Sequence, residues 1–398
     1  MPAMNQSNIT KMCGFCSVLC IGAISLCSAA LPPDPENAAL LYYQAFLLCP
    51  EPNDATKDLI NKVVYAGEPN EQLREYLQSQ EHRRAIQYAE KAAQLRDCDW
   101  GPWYSLGFSY ASVHLTSARF LSRVLHVDAR VLAADGQYRA AFERCLTMRK
   151  LAKHVGTETL HSYKCVTEIE GHTQRCISQI LGSMPPDVET ITWLKSQLAA
   201  TPPSSRSVAR AVQMDLEQGL QTMRADDNTM EVLRRNLVEA ADGKSAADIE
   251  KLSNEELLAR IREPYMAFLD SALRVMGSDL PYEKAYGEIE KLRDTLEKEA
   301  TNPVVKGMAR VLGDQVPSSY ALQIYSEARL AALSVALELY LEKAKTGRLP
   351  ERLPKDLPKD PYSSEDFIYS VTENGFMLRG GVQLADPSET LHLKYKVR

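Results

Sequence analysis

Apolar side chains recur at three- and four-residue spacing through nearly every segment from Asp34 to about Gly347, and Pro, Gly, Asn and Asp cluster at the breaks. Stripes of that period hide from water only against one another, so the chain should be mainly α, built as antiparallel helical hairpins. With 398 residues, 45% of them hydrophobic and 25% charged, there is enough apolar surface for a sizeable core.

Asp34-Pro35 offers an N-cap followed by Pro at the first helical position, opening a helix that runs to Leu48. Helices follow over Ala55 to Tyr65 and Gln72 to Leu95. Asp135-Gly136 and Gly156-Thr157 then divide Ser112 to Leu181 into three antiparallel helices. Pro185-Pro186 and Pro202-Pro203 punctuate the next stretch, with helices expected over Val188 to Ala199, Ser205 to Met223, Met230 to Ala241, Asn254 to Met276 and Tyr282 to Glu299. Ala85, Tyr88, Ala92 and Leu95 resemble the second helix of a tetratricopeptide repeat. No equivalent recurs at a spacing of about 34 residues, so the hairpins are repeat-like in style without being a regular repeat.

The longest helix is expected over Ser319 to Lys345. Gln323, Glu327, Ser334, Glu338 and Glu342 make one polar line on it, and the remaining surface is apolar enough to need cover on two sides. After Gly347 the pattern changes to alternation. Phe367 to Val371 and Phe376 to Leu378 read as a hairpin around Asn374-Gly375, and Leu391 to Tyr395 as a third strand. So small an antiparallel β-sheet cannot stand alone and must pack on the long helix. The expected division is a signal peptide at 1–30, a helical hairpin domain at 31–200, a second helical region at 201–316, and the long helix with its sheet at 317–398.

Lys11 is the only charged residue before Asp34, and Met12 to Ala30 is apolar or small, ending in Ser28-Ala29-Ala30. That combination fits a secretory signal peptide, which places the protein across the cytoplasmic membrane, in the periplasm or outside the cell. Membrane contact would follow only if the segment were retained as an anchor. Four of the nine cysteines (Cys13, Cys16, Cys20, Cys27) lie in it. Of the other five, Cys49 and Cys98 both sit where a helical pattern ends and are the pair expected if a disulfide forms, with small hydrophobes in the core as the alternative. Lys plus Arg number 46 against 52 Asp plus Glu, a formal charge of -6, so no basic field exists to draw nucleic acid.

Gly-x-Ser-x-Gly, His-Glu-x-x-His and Gly-x-Gly-x-x-Gly are all absent. Gly243-Lys244-Ser245 ends like a phosphate loop but has Val238 where the first glycine belongs. His161, Cys165, Glu168, His172 and Cys176 share one helix face and include potential metal ligands, but they spread over about four turns and cannot all reach one ion. They read as a polar seam. Trp100, Trp103, Tyr104, Phe108 and Tyr110 form an aromatic concentration that can either anchor a hairpin or stack on a sugar or peptide. No catalytic, cofactor or metal residue is assigned.

Gly347-Arg348-Leu349-Pro350, Asp360-Pro361-Tyr362, Phe367-Ile368-Tyr369 and Gly375-Phe376-Met377-Leu378, set behind a long helix, resemble the globular end of the major pseudopilins of type II secretion. Together with Ala133-Asp135-Gly136-Tyr138-Ala141 to Leu151-Ala152, the chain resembles uncharacterised exported helical proteins of planctomycete-type bacteria. Pseudopilins begin with a hydrophobic helix bearing a glutamate, and Met1 to Ala30 contains no acidic residue, so pilus assembly is not implied. Calcium in the C-terminal loop would be implied at Asp360, Glu365, Asp366 and Asp386, but the terminal aspartate-rich motif is missing. The function expected is an exported, envelope-associated helical scaffold or protein-interaction protein with a protein partner and no cofactor. The alternatives are an exported enzyme such as a hydrolase, gathering His154, His161, Glu168 or His172 in a cleft, and a carbohydrate- or peptide-binding module using the Trp100 to Tyr110 aromatics.

Overall fold

Short polar side chains set where the helices begin. In the computed structural model, which describes residues 34–102, 113–202, 208–225, 227–240, 243–299, 315–380 and 392–397, Asn37 caps the first helix, α1 (Ala38–Leu48), by accepting from Ala39 N–H at 3.0 Å. Its amide donates to Asp99 O at 2.8 Å, and its backbone bridges to Asp97. The helix therefore starts later than Asp34-Pro35 suggests, because Asn37 joins a local cap to a tie with a distant segment. Asn53 and Asn70 cap α2 (Asp54–Tyr65) and α3 (Glu71–Gln78) in the same way. Ser79 then splits the single helix expected from Gln72 to Leu95: its Oγ accepts from His82 N–H at 3.2 Å and starts α4 (Gln80–Gln94). A serine that can cap competes with continuation of the helix through it.

The centre of the fold is the three-helix unit α5 (Val113–Ala134), α6 (Tyr138–Val155) and α7 (Leu160–Ser183). Gly136 at φ 77° and Gly156 at φ 76° reverse the chain between them, a backbone state that glycine adopts without steric cost. Because α6 runs back between its neighbours, α5 and α7 lie parallel. Cys165 meets Leu115, His172 meets Ser122 and Cys176 meets His126, each at a separation of 50 residues.

Beyond this unit run α8 (Val188–Ala200), α9 (Val208–Ala225), α10 (Asp227–Ala240), α11 (Gly243–Glu250), α12 (Asn254–Met276) and α13 (Tyr282–Glu299). The short helix α11 was not expected; Gly243-Lys244-Ser245 is its first turn, and it follows a helix, not the strand a phosphate loop requires. The long helix, α14 (Gln315–Thr346), carries Pro317 in its first turn, where no N–H is needed, and stops at Gly347 with φ 80°. It is covered on several sides, burying Tyr320, Ile324, Leu333, Val335, Leu337, Leu339 and Leu341. Two residues of its polar line meet neighbouring elements: Gln323 accepts from Val208 N–H at 3.1 Å, and Glu338 pairs with Lys195.

Strands β1 (Ile368–Thr372), β2 (Gly375–Arg379) and β3 (His392–Lys396) form one antiparallel sheet in the order β1-β2-β3. The turn is Glu373-Asn374 and not Asn374-Gly375. Gly375 is already paired, opposite Thr372 and Lys396, and a Cβ there would lie 2.0 Å from Tyr395 O. Close approach of β3 thus requires the glycine. Phe376 stacks on Tyr395 at 4.9 Å, and Tyr340 of α14 packs against both rings while donating its hydroxyl to Lys396 O. The sheet also rests on α7, where Gly182 lets Lys396 approach. It sits in the notch between two helices and not on α14 alone.

All fourteen helices and three strands among the described residues belong to the unit Asn37–Arg398, distinct from Met1–Glu36. One apolar cluster links α1 to β3, from Ala38 and Tyr42 to Phe376 and Tyr395, and a smaller one joins α2, α3 and the outer face of α5. No helix among the described residues is long and apolar enough to cross a membrane. The apolar segment 12–30, with its four cysteines, lies outside the described residues.

Candidate functional site

The stripe on α7 is the interface with α5. Cys165 Sγ lies 3.5 Å from Leu115 O and Cys176 Sγ 3.8 Å from His126 O. Glu168 is held by Arg119 Nε at 3.0 Å and Arg123 Nη2 at 2.7 Å. His161 is exposed. The side chains meet different partners on successive turns, and no group of three or more His, Cys, Asp or Glu residues able to hold a metal gathers among the described residues.

Ser122, His172 and Glu168 superficially form a hydroxyl–imidazole–carboxylate series. Ser122 Oγ lies 2.9 Å from His172 Nδ1, and His172 Nε2 lies 3.9 Å from Glu168. Glu168, held by two guanidiniums, stands beyond hydrogen-bond reach of His172, so the series lacks the orienting contact that a nucleophile and its base need. Ser122 Oγ also lies 2.7 Å from Arg119 O, so its single proton has an acceptor besides His172 Nδ1. Burial, reinforced by Arg123, Arg175 and Arg329, pushes the His172 pKa down to about 3. Burial does the same to His126, also to about 3, even though Gln179 bonds it at 2.9 Å. Both imidazoles are neutral at physiological pH.

A second cluster lies at the far end of α6. Tyr42 Oη is 3.0 Å from His154 Nδ1, and Trp100 Nε1–H donates to His154 O at 2.6 Å. Trp100 is stacked on His114 at 4.3 Å, with Tyr42 and Phe46 also stacked on it at 5.6 and 6.0 Å. A cavity of about 120 Å³ opens beside them, lined by Cys98, His114, His154, Glu158 and Ser162 among others. His114 Nε2 is buried with no hydrogen-bond partner among the described residues. Burial and then His161 lower the His114 pKa to about 4, while burial and then Asp99 raise Cys98 to about 12. The cavity therefore presents a neutral thiol and neutral imidazoles, with no thiolate for nucleophilic attack. It brings His154 together with His114, which no sequence pattern singles out, and leaves Glu168 and His172 in the seam.

A larger cleft of about 450 Å³ lies between α1, α2 and α5. Phe46, Ile60 and Phe120 supply apolar wall, and Arg119 and Arg123 border it from the side of Glu168. The aromatic concentration is thus Tyr42, Tyr43, Phe46 and Trp100, with Trp100 sandwiched inside it. Trp103, Tyr104, Phe108 and Tyr110 lie outside the described residues.

Cys49 and Cys98 are separate thiols, as are Cys145, Cys165 and Cys176. Cys49 follows the last residue of α1 while Cys98 adjoins Asp97, which pairs with Asn37 at its first turn. Eleven helical residues separate these ends, about 16 Å, and a disulfide requires Cα atoms within about 7 Å. In the C-terminal loop, Asp360 is buried and its carboxylate accepts from Tyr362 N–H at 3.2 Å and Ser363 Oγ at 3.1 Å. It organises a turn, while Glu365 and Asp366 are exposed and Asp386 lies outside the described residues. Comparison of the chain with protein-family models, with curated proteins and with solved structures returns no match.

Proposed function

We propose that this chain is an exported, envelope-associated helical scaffold that acts by binding a protein partner and not by catalysis. The observation that carries this reading is how the chemically able side chains are spent. Glu168 is neutralised by two guanidiniums, His172 is bonded to Ser122, His126 to Gln179, and His154 to Tyr42. Groups so used hold helices in register and leave no poised acid–base pair. Export rests on Lys11 followed by the apolar run to Ala30. Kinship of the C-terminal segment with the globular end of major pseudopilins, and of the whole with exported helical proteins of planctomycete-type bacteria, is part of the same proposal; a long helix followed by a three-stranded antiparallel sheet supports it.

A binding module is the second reading, favoured by the cleft of about 450 Å³, which is within the usual size for a ligand site. In-cell cross-linking of the full-length chain, followed by fractionation and mass spectrometry, tests the first. The expected result is an envelope-fraction protein lacking its first 30 or so residues and cross-linked reproducibly to one envelope protein. An intact N-terminus in the cytosol, or repeated absence of any cross-linked partner, would overturn it.

A further inference from the structure

Most half-buried arginines of this fold meet a carboxylate: Arg74 meets Asp135, Arg119 and Arg123 share Glu168, Arg130 meets Glu68, and Arg144 meets Glu90 and Asp128. Arg175 of α7 and Arg329 of α14 do not. Among the described residues neither has an acidic partner. Arg175 lies over the ring of Tyr65 at 4.9 Å, and Arg329 over that of Tyr325 at 5.6 Å. Arg329 also reaches Gly171 O and Tyr325 Oη, each at a long 3.5 Å. Gly171 lies one turn before Arg175 on α7.

Through its contact with Gly171 O, Arg329 shares the edge of α7 that carries Arg175. Burial and then Arg329 lower the Arg175 pKa, and burial followed by Arg123, Arg175 and Arg329 lowers that of His172. Among the described residues, the four guanidiniums along this edge of α7 have one carboxylate partner, Glu168, on a chain whose formal charge is -6. Holding like charges together in partial burial costs stability unless an anion neutralises them. We propose that Arg175 and Arg329, flanked by the exposed rings of Tyr65 and Tyr325, form a binding site for a phosphate group. A carboxylate can bridge two guanidiniums, as Glu168 does, but brings a single charge; a phosphate monoester adds a third oxygen and a second charge, and so balances both. This site is independent of the scaffold reading, since its residues were not assigned to any partner.

The test is a melting-temperature and calorimetric titration of the full-length protein with inorganic phosphate against chloride at equal ionic strength. Wild type should show a saturable rise in Tm. In Arg175→Gln and Arg329→Gln the phosphate affinity should fall at least about tenfold, the loss of one charge-assisted fork, while Tm without phosphate stays equal or rises because the repulsion is gone. Arg293→Gln, in an ion pair on α13, should titrate like wild type. Should either glutamine variant fail to fold, Arg175→Lys keeps the charge, removes the fork, and should still weaken binding. Equal titrations for wild type and the Arg175 and Arg329 variants, or no saturable effect, overturn the proposal. Sedimentation with phosphatidylglycerol vesicles that inorganic phosphate competes off assigns the group to a lipid headgroup; phosphate binding without such competition assigns it to a soluble phosphate compound.

Discussion

His126 and His172 should make this protein lose stability steeply in mild acid. Each imidazole titrates near 6.5 in an unfolded chain and at about 3 in the folded one, because burial excludes the charged form. Between those values the unfolded state binds the extra proton, so stability is fully present above pH 6.5 and falls as the pH drops, by about 1.4 kcal/mol per pH unit for each histidine. From pH 7.5 to 5.0 the loss is about 2 kcal/mol each, or about 4 kcal/mol for the pair. The size of the effect is insensitive to the folded values provided they lie well below 5. Half-buried carboxylates with raised pKa, such as Asp128, Glu90 and Asp215, work in the opposite direction. The useful quantity is therefore the difference between wild type and the His126→Gln/His172→Gln variant, in which those groups cancel. Urea unfolding followed by circular dichroism at the two pH values measures it. The variant should be weaker at pH 7.5, having lost two packed hydrogen bonds, but its decline towards pH 5.0 should be shallower by about 4 kcal/mol. A difference under about 1 kcal/mol would mean that the two imidazoles accept protons in the folded state, and the account of the α5–α7 seam would be refuted.

Two further predictions concern places where the structure departs from the simplest sequence reading. Gly375→Ala should lower stability by at least about 2 kcal/mol, because its Cβ would stand 2.0 Å from Tyr395 O; an unchanged Tm and unchanged tryptic cleavage at Lys394 would contradict the tight β2–β3 approach. Cys49 and Cys98 should both react with an alkylating agent after denaturation without a reductant, and a mass two daltons short, with the Cys49 and Cys98 peptides linked, would contradict their placement at opposite ends of α1.

Local chemistry made much of this fold legible. The periodicity of α6 and α7, the glycines at 136 and 156, and the broad apolar surface of Ser319 to Lys345 each follow from what a few neighbouring residues can do, and the same holds for the alternation after Gly347. Boundaries set by distant groups were not legible. Asn37 starts α1 partly because Asp97 and Asp99 come alongside it, and Gly375 is needed because β3 crosses it. The seam shows the limit most plainly. The sequence places His161, Cys165, Glu168, His172 and Cys176 along one helix face, as helical geometry alone requires. Only the parallel packing of α5 on α7 gives Cys165, His172 and Cys176 their partners at a constant offset of 50 residues, and Glu168 its two arginines, and so makes these four structural. Likewise Arg175 and Arg329 stand 154 positions apart in the chain, and nothing local to either announces the other. A side chain's identity fixes what it can donate, accept or bury; whether it does so, and whether a charge is left unanswered, depends on the long-range contacts that tertiary structure alone supplies.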